Sequence, residues 1–331
     1  MNKVELFKRL SIFALILLLL CGGWLLFKKP STISRTFFTA DTVCSITLYD
    51  GSEELLDSAV ELTGSLANKL NCYLESSELS KLNKDKIIKS PSDELKEAVE
   101  LGLYYSALKD GVFDITIKPV SQLWDFKNGT MPNSADVTDA LKKVGYKSIE
   151  ITDNQITLKD GAEIDLGAVA KGYIAKKVSD FLLKNGVKSA IINLGGNVTV
   201  LGDNNGDAFN VGIQKPFGEG SLATVKVKDF SVVTSGTYQR CFKKDGTLYH
   251  HLLNTKTGMP QNTDLASVTV ITKSAGDADP MSTLCFLLGA DDGMALIEQT
   301  DGFEAVFIDN NGNIKLSSGL VKNFENIISL K

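Results

Sequence analysis

The stretch Glu163-Ile-Asp-Leu-Gly-Ala-Val-Ala-Lys-Gly-Tyr173 constrains this chain more than any other. A short lead-in reaches an acidic residue, passes a glycine and several small residues, and enters a helical pattern carrying a lysine. Small residues at a strand-to-helix junction admit close approach to the backbone, and a helix start offers free N–H groups to anions. Asp165 and Lys171 add one charge of each sign. Asp165 reads equally well as a helix N-cap, and Lys171 as a solvated helix residue. The segment alone leaves both readings open.

Around it, helices and strands are interspersed without a steady βαβ rhythm, which predicts an α+β fold of mixed sheets with packed helices. Alternation predicts strands at Thr42–Tyr49 and Leu265–Thr272, and a hairpin pairing Ile149–Thr152 with Gln155–Leu158. Helical spacing places Leu55, Ala59, Leu62, Leu66 and Leu70 on one face. Ser90-Pro91 reads as cap and first turn of a second helix, with Leu95, Val99, Leu103 and Ala107 facing inward. Gly111–Pro119 is β-prone, and Asp114 within it must find partners if half-buried. The helix after Lys171 stops at Asn185-Gly186. In Asn193-Leu-Gly-Gly-Asn197 the paired glycines mark a bulge or a close backbone approach.

Length and charge narrow the function. The 331 residues carry a formal net charge of −5. Residues 1–33 hold five basic side chains and one acidic one, a net +4, so the remainder stands at −9. An acidic body without a basic run argues against nucleic acid as a partner. Leu10–Phe27 is almost uninterruptedly apolar and, at roughly 27 Å as a helix, about spans a bilayer core. Residues 1–33 are therefore expected to be a membrane anchor and tether, with 31–36 as polar tether and residues 34–331 outside the cytoplasm. Leu18-Leu-Leu-Cys21 offers a lipoprotein-type signal as the alternative. The four later cysteines, Cys44, Cys72, Cys241 and Cys285, show no metal-type spacing, and two histidines exclude a histidine-rich zinc site.

Candidate chemistry is scattered. Asp279-Pro280 reads as N-cap and first helical residue, with Thr283 on the next turn of the same face. The pair is either a plain helix start or a hard-cation site, because Mg²⁺ takes one or two protein oxygens and completes its shell from phosphates and water. His251 is a strand residue or a phosphate contact. Thr234-Ser235-Gly236 is a turn or a row of donors. Tyr73, Trp124 and Tyr238 are flat surfaces for stacking, or core. No GxGxxG follows the first strands, and GxxxxGK[ST] and GxSxG are absent.

Taken in order, these stretches resemble the ApbE family, the FAD:protein FMN transferases. The matching elements are Ser77-Glu-Leu-Ser-Lys-Leu-Asn83, Gly111-Val-Phe-Asp114, Asp165-Leu-Gly-Ala-Val-Ala-Lys-Gly-Tyr173, Asn193–Asn197, Ser231-Val-Val-Thr-Ser-Gly236, His251–Gly258 and Ala278-Asp-Pro-Met-Ser-Thr283. Together they span about residues 36–320. The resemblance implies a two-lobed α+β architecture with a flavin site between the lobes. It also implies transfer of FMN from FAD to a threonine or serine hydroxyl of an acceptor protein, with AMP leaving. By position, Asp279, Thr283 and the Ala168 carbonyl would hold Mg²⁺. Tyr73, Val112, Phe113, Asp114, Asp165, Lys171 and His251 would contact FAD, and Asp279 would serve as base. Ala40-Asp41-Thr42 departs from the family, which often has Met-Gly-Thr there. Two alternatives use the same site: Mg²⁺-dependent FAD hydrolysis to FMN and AMP, and flavin binding without catalysis.

Overall fold

The computed structural model describes residues 32–322 and 328–330. The apolar run Leu10–Phe27 lies outside them, and no helix among the described residues is long and apolar enough to cross a membrane. The chain opens with β1 (Ile33–Thr39) and β2 (Thr42–Leu48), then α1 (Glu53–Lys69), α2 (Glu78–Asp85), β3 (Ile87–Lys89) and α3 (Asp93–Leu108). Next come α4 (Lys118–Ser121), α5 (Ser134–Leu141), the hairpin β4 (Ile149–Thr152) and β5 (Gln155–Leu158), and α6 (Ala170–Lys184). Six strands follow: β6 (Ala190–Leu194), β7 (Asn197–Leu201), β8 (Phe209–Gln214), β9 (Ser221–Val227), β10 (Ser231–Gly236) and β11 (Cys241–Lys244). The last part holds β12 (Thr247–His250), β13 (Leu265–Thr272), α7 (Ala275–Leu288), α8 (Ala290–Glu298), β14 (Phe303–Asp309), β15 (Ile314–Leu316), α9 (Ser318–Lys322) and β16 (Ile328–Leu330).

An eight-stranded sheet in the order β1-β2-β6-β7-β10-β13-β14-β15 forms the frame. Every neighbouring pair of strands within it is antiparallel, so the α+β expectation holds. Its central strands are buried on both faces, while the β1 edge is exposed. One face packs Ile46, Ile192 and Val268 against α1, α6 and α7, whose Leu56, Val178 and Leu284 are fully enclosed. On the other, Val232, Ile271 and Val306 meet Val211, Val225 and Leu320 from the β8–β9 layer and α9. This double cover explains why every residue of β13 is buried, whereas β8 alternates strictly. A third, small core gathers Val120, Trp124, Ala140 and Leu253, and Trp124 stacks on Phe126 with centroids 5.5 Å apart. Trp124 is thus a core residue and no stacking surface.

Several local expectations change. The segment read as polar tether enters β1 at Ile33, because β2 pairs with it in register from Leu48 down to Thr42. The buried face of α1 centres on Leu56, Ala59, Thr63 and Leu66, rotated one residue from the predicted stripe. Ser92, not Ser90, caps α3 through Leu95 N–H, and Ala98, Gly102 and Tyr105 replace Leu103 and Ala107 in its buried face. Residues 111–117 form turns rather than a strand, because Asp114 folds the chain back on itself. The paired glycines close a two-residue hairpin between β6 and β7, with both φ positive, instead of a bulge. Most consequential for the site, α7 begins four residues before Asp279, so Pro280 lies inside the helix and Asp279 is not its cap.

Candidate active site

Helices α6 and α7 cross at Gly172 with their backbones touching. A Cβ on Gly172 would fall 2.9 Å from the carbonyl oxygens of Ala275 and Gly276 and from Asp279 Cβ. Pro280 has no N–H to bond the Gly276 carbonyl, so the helix gives up that hydrogen bond where the two helices meet. The crossing brings Lys171 Nζ within 3.4 Å of Asp279 Oδ2, and Gly172 N–H donates to the same oxygen at 3.2 Å. Lys171 also donates to the Gly167 carbonyl at 3.2 Å. Asp279 is only 4% exposed, so its charge depends on these partners.

Three hydroxyls complete the cluster. Ser235 Oγ, from the end of β10, lies 2.8 Å from Ser282 Oγ and 3.0 Å from Thr283 Oγ1. Ser282 in turn donates to the Asp279 carbonyl at 2.9 Å. One buried carboxylate beside clustered hydroxyls is a hard-oxygen donor set of the kind Mg²⁺ accepts, whereas thiolates and imidazoles of a softer site are missing from it. Ala168 sits half-buried in the turn that precedes α6.

Asp165, at the other end of the same stretch, organises a second group. Its Oδ1 accepts Gly167 N–H at 2.8 Å, and its Oδ2 accepts Ser121 Oγ–H at 3.1 Å and Tyr73 O–H at 3.3 Å. It therefore braces the turn and a tyrosine rather than capping α6, whose N-cap position is Val169. Tyr73 is 59% exposed as a residue, while burial of its hydroxyl first, and then the Asp165 charge, push its pKa above the usual phenol range.

The remaining predicted residues divide. His251 keeps Nδ1 buried with no partner among the described residues. Burial first, then the charges of Arg240, His250 and Lys171, push it down to about 3, so it stays neutral at ordinary pH. Asp114 turns inward: Oδ1 accepts Thr116 N–H at 2.8 Å and Thr116 Oγ1–H at 2.6 Å, and Oδ2 accepts Tyr146 N–H at 2.8 Å. Burial nevertheless raises its pKa. Phe113 packs into the core edge-on to Tyr105, at 6.4 Å between centroids, and Val112 is half-buried. The Phe113 side chain is thus committed to the core and the Asp114 carboxylate to the turn.

Sequence reasoning passed over Ser282, although it lies within the Ala278–Thr283 motif, and Ser121 and Lys118, which lie in none of the matching motifs. It also passed over Asn197, whose side chain is 2% exposed with neither amide atom partnered among the described residues. Its place in Leu-Gly-Gly-Asn was the available sign.

A charged and hydroxyl-rich cluster joined through the 165–171 turn to a braced, exposed tyrosine suits a ligand that combines anionic groups with a flat ring. The ApbE family profile matches residues 40–307, and the chain belongs to that family. A Klebsiella pneumoniae FAD:protein FMN transferase is 38% identical over 220 residues, covering 64% of this chain and 68% of its own. The Treponema pallidum enzyme of the same name is 33% identical over 244 residues, covering 67% of each. Among solved structures, the ApbE protein of Thermotoga maritima superposes with a TM-score of 0.81 at 26% identity, covering 88% of this chain and 99% of its own. The apo flavinyl transferase ApbE of Pseudomonas stutzeri gives 0.79 at 26% identity, covering 89% and 98%.

Proposed function

We propose that this chain is an Mg²⁺-dependent FAD:protein FMN transferase that moves FMN from FAD to a threonine or serine hydroxyl of an acceptor protein and releases AMP. The observation that carries the reading is the meeting of Lys171, Asp279 and the Ser235–Thr283 hydroxyls at the α6–α7 crossing, in a chain whose relatives bear that name. Asp279, Thr283 and the Ala168 carbonyl would hold Mg²⁺, which would offset charge on the pyrophosphate oxygens. Lys171 adds a second positive charge at the same place.

The acceptor oxygen attacks the FMN-side phosphorus, a new P–O bond forms, and the bond to the AMP phosphate oxygen breaks. The hydroxyl proton passes to Asp279. Its Oδ2 is engaged by Lys171 and Gly172, while among the described residues Oδ1 accepts no hydrogen bond. Tyr73, Asp165 and His251 contact FAD, with His251 acting as a neutral donor or acceptor. The apolar run Leu10–Phe27 anchors the enzyme in the membrane and leaves the catalytic body on the extracytoplasmic side, where its acceptors are exported or membrane proteins. This last part rests on the sequence.

Incubating the full chain in detergent with FAD, Mg²⁺ and an acceptor tests the reading. Fluorescent labelling of the acceptor together with AMP release is expected, and both vanish in Asp279→Ala. Release of FMN and AMP with no labelled protein would make the enzyme a hydrolase. FAD bound but unchanged would leave a binding protein.

A further inference from the structure

We propose that Lys118 is a positioning residue that holds the Tyr73 ring as a stacking plate for a ring system of FAD, an inference that rests on the FAD reading above. Lys118 opens the short helix α4 and is only 7% exposed. Its Nζ lies 4.6 Å from the Tyr73 ring centroid, 2.9 Å from Gln122 Oε1 and 4.0 Å from Glu163 Oε2. A buried ammonium with one neutral acceptor and one carboxylate at the limit of contact is under-compensated, and the face of Tyr73 supplies attraction from a third side.

The same short helix fixes the edge of the ring. The Tyr73 hydroxyl lies 3.5 Å from Ser121 Oγ, three residues after Lys118, and 3.3 Å from Asp165 Oδ2. The ring is therefore held from one face and from its hydroxyl, yet the residue remains 59% exposed. One face is taken by the ammonium, so the opposite face is the one a ligand can use. An immobilised aromatic face open to solvent binds a flat conjugated ligand without the cost of ordering the ring first. FAD offers two such ligands, isoalloxazine and adenine, and stacking on either uses the same plate.

The experiment is a double-mutant cycle on FAD affinity, read from flavin fluorescence with the full chain in detergent. Lys118→Gln is expected to weaken FAD binding about fivefold, and Tyr73→Ala at least as much. In the double variant the lysine change adds nothing, because its effect runs through the ring. Lys118→Arg keeps the affinity within about twofold, since a guanidinium also rests on aromatic faces. Fully additive losses, or an unchanged affinity in Lys118→Gln, overturn the proposal. A lysine that serves only the fold lowers thermal stability whether or not the ring is present and shows no coupling.

Titrations of Lys118→Gln with FMN and with AMP name the ring, and loss for neither overturns the assignment. If the neutral variant does not fold, Lys118→Arg carries the test: an affinity as low as that of Tyr73→Ala sinks it. The underlying reading fails differently, with a wild-type chain that binds no FAD or with Tyr73→Ala binding it normally.

Discussion

Lys171 Nζ lies 3.4 Å from Asp279 Oδ2, and the contact exists because the residue between the two helices has no side chain. Gly172 lets α6 settle on the Ala275 and Gly276 carbonyls of α7, so charge placement in the site is a by-product of backbone contact. The glycine of the Ala-Lys-Gly-Tyr motif is thus a spacing element for the lysine before it and the aspartate across from it.

Gly172→Ala should consequently damage both stability and chemistry. The added carbon meets backbone oxygens that cannot rotate away, so the helices must separate by several tenths of an ångström. Overpacking of this kind costs about 1–3 kcal/mol, and displacement of Lys171 and Asp279 should lower FMN transfer tenfold or more. Urea unfolding and the transfer assay measure the two effects. A folded Gly172→Ala with wild-type turnover would show that the crossing does not set the site.

The two hairpin glycines should respond unequally to the same change. Gly195 has φ +63, and a Cβ there would fall only 2.4 Å from Thr42 Oγ1, while Gly196 has φ +93 and open space around it. Both alanine variants bear left-handed strain of about 1–2 kcal/mol. Gly195→Ala adds a clash with the start of β2 and should be the more destabilising by about 1 kcal/mol or more. Equal losses in paired unfolding curves would contradict the close approach to Thr42.

The pattern of hits and misses in the sequence has a physical basis. The hairpin at 149–158 and the strand at 265–272 were legible because alternation and turn residues act over a few positions. β1 was not, because its polar, Ser- and Thr-rich chain becomes a strand only through pairing with β2. Asp279 was singled out as a candidate from sequence yet given the wrong local role, since Asp-Pro commonly starts a helix and only the tertiary crossing explains a proline inside one. Lys171 and Asp165 were visible in one motif. Their partners Asp279 and Tyr73 lie about a hundred residues away, beyond any periodicity.

Asp114 should prove to be a folding residue whose carboxylate cannot be replaced by an amide. Three donors converge on its two oxygens, and asparagine would turn an N–H toward at least one of them. Leaving a buried donor unpaired costs about 1–3 kcal/mol, so Asp114→Asn should unfold at lower urea by that margin. An unshifted midpoint would mean that the turn at 111–117 is held by something else.

The histidine pair should make stability depend on pH in a window above the ordinary carboxylate range. His250 is 5% exposed, with its ring edge-on to Phe286 at 5.7 Å and its Nδ1 buried and unpartnered among the described residues. Burial pushes it down to about 4, and His251 falls to about 3, both from 6.5. The folded values lie below the unfolded one, so between pH 6.5 and 4 the unfolded chain binds protons that the native state refuses. Stability is therefore full above about pH 7 and falls as the pH drops, with a slope of up to about 1.4 kcal/mol per pH unit for each histidine. The chain contains only these two histidines, and most carboxylates titrate near 4, so the range from pH 7 to 5 reports on them. His250→Gln keeps a polar side chain without the titration and should roughly halve the slope in urea unfolding at pH 7, 6 and 5. A wild-type stability that is flat over that range, or a variant slope equal to the wild type, would refute the assignment of acid sensitivity to this pair.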